Sequence, residues 1–436
     1  MKAINRTIIF LLALLLSISI AHSQHKEVWQ IDVNQYQKMP ASLKLKSEKS
    51  AGMVLLDVTG QKIAFGGSDK KLSVHDVQSG TMLWQKSGAE FEVNSGANLW
   101  TLNVPLFAVA NNMFAGGKIF FYNWSDGSQV GNMQPYARGK HGMAFAQQSS
   151  LVWFGPDHNI FGYSVTGSKF ITSTSGAAGH TSDGGSLRFG PYENLYSVAP
   201  DKKFIKWENK LNEQDNLITY TGAHEVLFEA DYPLMSLALN PYIQGSKVAQ
   251  SGTIYAAIGE NRGLVRIFHL NGQKDPIATF QISDGYCGNL AFHTTDPDVL
   301  IATGKKSVIF YDIVEKKVLR TIEQPAEVRG FDLSMDGAKW TVGLSDGDVR
   351  VYSLGKTLMD LRPGEKAKIT SLDGGGATGG LFKFAQLEVG QTITLKEITE
   401  NEKGLKFKCD SDNDTMTSFS IYLPQAKRVY VDQIID

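Results

Sequence analysis

The sequence predicts an all-β protein, a seven-bladed β-propeller followed by a small C-terminal β-barrel domain. Three observations lead to this prediction. The 436 residues include 43 glycines and 10% aromatic residues, a composition typical of many short strands joined by tight turns. A unit of two alternating strands around a polar turn recurs seven times, and helical periodicity is absent from residues 50–355. The repeated pattern stops after Leu354.

The N-terminal segment has the features of a secretory signal peptide. Lys2 and Arg6 precede an apolar run from Ile8 to about Ile20, and small residues occupy positions 21 and 23. A retained membrane anchor is the alternative, but it needs about 20 apolar residues and this run is shorter. We therefore expect cleavage after Ser23 and an exported protein, periplasmic or extracellular.

The repeated unit has an apolar strand, a turn rich in Gly, Asp, Asn or Lys, and a second strand with an aromatic residue near its end. Most copies are flanked by two further alternating runs, so each repeat predicts a four-stranded sheet that is stable only when stacked on its neighbours. A β-sandwich with accidental similarity is the alternative. The seven copies lie at residues 63–77, 113–124, 152–165, 195–209, 254–270, 300–313 and 340–354.

These repeats resemble those of WD-repeat proteins. Aromatic-polar or His-Asp pairs end several third strands, and an acidic residue recurs in the turn between second and third strands. We find the Gly-His element of that family in none of the repeats, so the resemblance is to a divergent relative. The resemblance implies a rigid, non-catalytic scaffold that presents loops to a partner. The residues that carry it are His75-Asp76, Tyr122-Asn123, Trp207-Glu208 and Tyr311-Asp312 for the pairs, and Asp69, Asp157, Asp201 and Asp346 for the turns.

We expect the propeller to occupy residues 24–355, with residues 26–33 as a strand that completes the last blade. Residues 356–436 resemble FeoA, a small β-barrel of the Src-homology-3-like class, although the basic helix of that family is replaced by "GGLFKFAQ". An unrelated small β-domain is the alternative. The matching residues, in order, are Leu361, Pro363, Gly364, Val389, Gly390, Leu423, Ala426 and Val431.

The sequence gives little support for catalysis or a cofactor. The net charge of −1 provides no general attraction to nucleic acid, and no catalytic, metal-binding or cofactor motif is found. Cys287 and Cys409 are expected to be free and buried. An enzyme or small-ligand receptor with its site in the central funnel, as in quinoprotein propellers, is the alternative, because "DVQSGTMLW" resembles one quinoprotein repeat. We expect a monomer without a membrane span.

Long loops between blades are the predicted partner-binding surface. They comprise residues 86–98, 134–142, 174–185 and 222–233, which a propeller gathers on one face. Tyr136, Arg138 and His141 combine aromatic and cationic character, which is typical of binding hot spots. His180 and Asp183 lie in the next loop, and there a metal site or a solvated loop is the alternative. For residues 134–142 the alternative is that Tyr136 packs on the blade and Arg138 pairs with an acidic residue.

Overall fold

The computed structural model describes most of the repeat region and much of the C-terminal region. The described residues are 31, 33–38, 45–98, 106–111, 118–133, 142–145, 150–154, 160–164, 169–173, 179–182, 185–190, 194–212, 217–240, 254–270, 274–354, 356–358, 361–372, 387, 390–401, 404–413, 416–422 and 429–434.

The repeat region forms a seven-bladed β-propeller, as predicted. Each blade is an antiparallel sheet whose strands follow one another in chain order from the inside outwards. Two short strands, β1 (Tyr36–Lys38) and β2 (Leu45–Lys46), precede the first complete blade. Blade one contains β3 (Met53–Leu56), β4 (Lys62–Gly66), β5 (Lys71–Asp76) and β6 (Met82–Ser87), and blade two contains β7 (Val93–Asn98), β8 (Leu106–Asn111), β9 (Ile119–Asn123) and β10 (Gln129–Met133).

The next three blades repeat the same order of strands. Blade three contains β11 (Met143–Phe145), β12 (Ser150–Phe154), β13 (Ile160–Ser164) and β14 (Lys169–Ser173). Blade four contains β15 (Ser186–Phe189), β16 (Leu195–Val198), β17 (Lys203–Asn212) and β18 (Leu217–Glu229), of which the last two form an extended hairpin. Blade five contains β19 (Leu234–Leu239), β20 (Tyr255–Glu260), β21 (Leu264–His269) and β22 (Ala278–Gln281).

The last blade draws its outer strand from the start of the chain. Blade six contains β23 (Asn289–Phe292), β24 (Val299–Thr303), β25 (Ser307–Asp312) and β26 (Lys317–Glu323). Blade seven contains β27 (Val328–Leu333), β28 (Lys339–Leu344) and β29 (Asp348–Leu354), and both β1 and β2 pair with β29. The expected closing strand at 26–33 is therefore placed too early, since residues 33–35 form a 3-10 turn and β1 begins at Tyr36.

The hydrophobic core lies between blades. Between blades one and two, Met53 and Leu55 pack with Phe107 and Val109, and comparable clusters occur between other neighbours. Apolar residues occupy both faces of the inner strands because each sheet is covered on both sides by neighbouring sheets. Trp153, Trp207 and Trp340 are completely buried. Cys287 and Cys409 are free and buried, as expected, and burial raises the pKa of each thiol to about 12.

The first strands of successive blades contact one another around a central channel, and β27 returns to contact β3. Each of these strands contributes its second-last residue at an equivalent register position, opposite the second strand of its blade. We call these residues the channel ring. Its members are Leu55, Ala97, Ala144, Arg188, Ala238, Ala291 and Asp332.

A second compact unit comprises the described residues from Ser353 onwards together with the described residues up to Gln37, and the described residues between Lys38 and Tyr352 form the first. Its sheet contains β30 (Lys356–Thr357), β31 (Lys366–Leu372), β32 (Thr392–Asn401), β33 (Gly404–Asn413), β34 (Met416–Tyr422) and β35 (Val429–Ile434). The strands pair in the order β30-β35-β31-β32-β33-β34. A separate core of buried residues, including Leu361, Ile393 and Phe407, supports this small all-β domain.

Candidate interaction surface

The loops between blades and the turns between second and third strands share one face of the propeller. A first strand runs away from this face and the antiparallel second strand returns to it, so the following turn lies beside the loop that enters the blade. We call this side the loop face. Two of the predicted loops are shorter than expected: β6 and β7 leave only residues 88–92 between them, and β18 continues to Glu229.

Most of the predicted binding residues lie outside the described part of the chain. Tyr136, Arg138, His141 and Asp183 belong to that group, so their role stays a prediction. His180 is described, and its side chain is completely buried. The structure therefore assigns His180 to the interior of blade four rather than to an exposed binding loop.

His180 belongs to a hydrogen-bonded network in blade four. Its Nδ1 lies 3.0 Å from an oxygen of Asp201, and its Nε2 lies 2.7 Å from the hydroxyl of Ser197. Trp207 donates its indole N–H to the same hydroxyl at 2.7 Å. The network joins the entering loop, the second strand, the following turn and the third strand, so one set of side chains links four segments of the blade.

The network also corrects the expectation that no repeat contains a Gly-His element. Gly179 and His180 form a Gly-His pair at the entry to blade four, in the loop predicted to bind a partner, with a metal site or a solvated loop as the alternatives. A Cβ atom on Gly179 would lie 2.6 Å from the indole ring of Trp207, so this position requires glycine. The four residues Gly179, His180, Asp201 and Trp207 act together because the fold brings the loop against the third strand.

Burial and hydrogen bonding shift the pKa of Asp201 in opposite directions. Burial alone would raise its pKa, but hydrogen bonds from His180 and from the backbone of Thr181 and Lys203 together lower it. The carboxylate is therefore held ionised within the blade. In blade one, Asp69 accepts a hydrogen bond from Ser47 at 2.7 Å, so the turn acid has a similar anchoring role there.

Ser197, His180 and Asp201 have the chain of contacts found in Ser-His-Asp hydrolases. Nucleophilic catalysis would require the hydroxyl to reach a substrate. Ser197 and His180 are both completely buried, and the Ser197 oxygen already accepts the indole N–H of Trp207. This arrangement stabilises the blade and does not form an active site.

Aromatic and cationic side chains meet on the described part of the loop face. Tyr232, in the loop between blades four and five, is 37% exposed. The guanidinium of Arg262 lies 3.9 Å from the centre of the Tyr232 ring. Arg262 is exposed in the turn between β20 and β21, where Gly263 adopts φ +83°. The pair forms a cation–π contact that holds two large side chains in one orientation.

Charged residues continue this surface onto blades six and seven. The carboxylate of Glu327 forms one ion pair with Lys305, at 3.0 Å, and another with Arg329. The hydrogen bond from Lys305 is the main reason that the pKa of Glu327 is lowered. Tyr286 is half-buried in the preceding loop, and burial raises its pKa. We call Tyr232, Arg262, Tyr286, Lys305 and Arg329 the loop-face arc.

None of the residues in the loop-face arc is among the binding residues predicted from the sequence. Tyr232 lies within the predicted loop 222–233, and Arg262 lies within the polar turn "GENRG", so the sequence marks each position separately. Only the propeller brings the two residues together.

The described part of the chain shows neither a metal-binding cluster nor a membrane-spanning helix. No three His, Cys, Asp or Glu side chains among these residues are grouped in a way that could hold a metal ion. No described helix is long and apolar enough to cross a membrane.

Comparison with solved structures identifies the fold. The chain is similar to the WD40 repeats of RRP9, with a TM-score of 0.58 and 12% identity over 74% of this chain and 98% of that one. It is similar to the structure of U3-55K, with a TM-score of 0.58 and 12% identity over 74% of this chain and 100% of that one. No protein-family model matches the sequence, and no curated protein matches it.

Proposed function

We propose that the protein is an exported, non-catalytic scaffold that binds a protein or peptide through the loop face of its propeller. The observation that carries this proposal is the Tyr232–Arg262 contact, with an exposed ring on the loop that enters blade five and an exposed guanidinium on a turn within that blade. Tyr and Arg are enriched at the energetic centres of protein interfaces. Because each side chain already restrains the other, binding loses less conformational freedom than it would with isolated flexible residues.

The other members of the loop-face arc suit a partner with mixed polarity. Lys305 and Arg329 share the single carboxylate of Glu327, so this local group carries excess positive charge. Their side chains are 56% and 43% exposed and remain accessible to a partner. An acidic peptide segment that carries an apolar side chain to pack beside Tyr232 would complement this composition.

Export rests on the N-terminal segment. Lys2, Arg6, the apolar run and the small residues before Gln24 together form the expected signal peptide, which lies outside the described residues. N-terminal sequencing of the protein from the periplasm or culture medium is expected to begin at Gln24. A chain that retains Met1 in the cytoplasm would contradict the export proposal.

The FeoA-like nature of the C-terminal unit is a further part of the proposal. Leu361 and Val431 from the matching pattern are buried in the core of this unit. Gly364 and Gly390 adopt φ +95° and +97°, conformations that favour glycine over other residues. These four positions support the resemblance through packing and turn geometry, and we propose no iron-related role from them.

Binding measurements on paired variants test the loop-face proposal. The mature, tagged chain is used to isolate a partner from envelope extract, and the purified partner is then titrated against each variant. We expect Tyr232→Ala with Arg262→Ala to weaken binding by about 2 kcal/mol or more, which is roughly 30-fold. The matched control is Val314→Ala with Lys317→Ala, two exposed residues at the opposite face. Equal affinity for both double variants would reject the loop-face arc as the binding surface.

A further inference from the structure

The channel ring contains two charged residues of opposite sign. Four members are alanine and one is leucine, so Arg188 and Asp332 are the exceptions. They lie on blades four and seven, which face each other across a ring of seven. Each charge favours the ionised form of the other, so the two groups interact across the ring. Ala291, at the same level on blade six, is partly exposed and has a small side chain.

The two charged groups are anchored to the channel wall and not to each other. Arg188 donates from Nη1 to the carbonyl of Leu187 at 2.8 Å, and Asp332 accepts the N–H of Leu56 at 2.7 Å. The described contacts include no ion pair between Arg188 and Asp332. They also leave the other N–H groups of the guanidinium without a protein partner, although a guanidinium has five donors in total.

Burying the charges of Arg188 and Asp332 without further hydrogen-bond partners is energetically unfavourable. Burial lowers the pKa of Arg188 to about 10 and raises the pKa of Asp332 to about 7, so the surroundings resist both charges. Both residues are nevertheless partly exposed, and solvent or a ligand in the channel can reach them. A ligand that carries both complementary charges would compensate for the lost hydration of each group.

We propose that the channel ring binds a small zwitterion that carries a carboxylate and an ammonium group. The carboxylate accepts hydrogen bonds from the guanidinium of Arg188, whose planar geometry suits two parallel bonds. The ammonium donates to the carboxylate of Asp332. Ala291 at the same level contacts the ligand's carbon atoms. This site uses the channel and not the loop face, so it is independent of the proposed partner binding.

Calorimetric titration of the mature chain tests this site directly. The probes are the common α-amino acids and dialanine, because a free amino acid and a short peptide offer the same two charges. Acetate and ethylammonium serve as probes with a single charge. We expect at least one zwitterion to bind, whereas each single-charge probe binds more weakly by roughly tenfold or more, since a hydrogen-bonded charge contributes about 1.5–3 kcal/mol. A wild-type chain that binds no zwitterion, or binds acetate as tightly, would overturn the proposal.

Variants locate the binding to the channel ring. Arg188→Gln and Asp332→Asn are each expected to weaken zwitterion binding by about tenfold or more, whereas Lys317→Gln on the exposed outer strand leaves it unchanged. Because the pKa of Asp332 is raised to about 7, affinity is expected to fall as the pH is lowered below that value. Unchanged affinity in both charge variants would place the ligand elsewhere.

A steric variant keeps the test decisive if the charge variants fold poorly. Ala291 is a partly exposed member of the channel ring on blade six, next to Asp332 in the order of blades. Ala291→Leu adds volume without removing either charge, and we expect it to abolish zwitterion binding. Tyr232→Ala with Arg262→Ala changes only the loop face and is expected to bind the zwitterion normally. Full binding by Ala291→Leu would contradict a site at this level of the channel.

Discussion

The hydroxyl of Ser197 links two buried side chains of blade four. It accepts the indole N–H of Trp207 and contacts the imidazole of His180, each at 2.7 Å. The direction of the bonds follows from chemistry: the indole can only donate, so the serine O–H is free to donate to His180, whose other nitrogen then donates to Asp201. One oxygen atom therefore satisfies two buried polar groups.

Removal of this hydroxyl tests the network. Ser197→Ala removes the hydroxyl that accepts the buried indole N–H of Trp207 and that bonds to the imidazole of His180, and we expect a loss of about 3 kcal/mol in the free energy of unfolding. Ser283→Ala, at an exposed turn position of the same propeller, is the matched control and is expected to change stability by less than about 0.5 kcal/mol. Urea denaturation measures both. A Ser197→Ala protein as stable as the control would show that the network is energetically unimportant.

At the scale of elements, the closure of blade seven distinguishes this propeller from an open array. β1 pairs with β29 and lies at the outer edge of a sheet whose inner strands belong to the other end of the repeat region. β2 pairs with β29 as well, through Leu45 and Val349. Tyr36 in β1 and Leu45 in β2 are buried, so these short strands contribute packing in addition to hydrogen bonds.

Deletion of the closing segment is expected to destabilise the propeller. A mature chain that begins at Lys49 lacks β1 and β2 and exposes the edge of β29, where another chain can pair. We expect a lower melting temperature and a tendency to self-associate, measured by calorimetry and by light scattering. A synthetic peptide of residues 31–48 is expected to restore stability by adding the missing strands, whereas a scrambled peptide is not. An unchanged melting temperature after the deletion would refute closure by these strands.

The elements differ in how far the sequence determines them. Alternating residues and polar turns predicted the seven sheets because each strand and turn depends mainly on its own residues. The closing strand was placed at 26–33 because "KEVWQIDV" alternates as strand β6 does, yet alternation does not specify which segment meets β29. The Gly-His element and the Arg188–Asp332 pair were missed for a similar reason. Their importance arises from residues that are distant in the sequence and become neighbours only in the closed ring.

Across the propeller, the side chains that hold the blades together differ from those proposed to bind a partner. Clusters between blades, such as those around Phe107 and Ile309, make the ring stable, while buried networks such as that of His180 fix individual loops. Polar and aromatic side chains on the loop face are then free to vary with the partner. The channel ring, with Arg188 and Asp332, is the second proposed binding surface in the same fold.

Site-specific photo-crosslinking tests whether a partner binds at the loop face. A photoreactive phenylalanine analogue is placed at Tyr232 on the loop face or, as the matched control, at Val314 on the opposite face, and each mature chain is irradiated with the isolated partner. We predict a crosslinked complex with the probe at position 232 and little or none with the probe at position 314. Efficient crosslinking from position 314 with none from position 232 would contradict the assignment of the loop face.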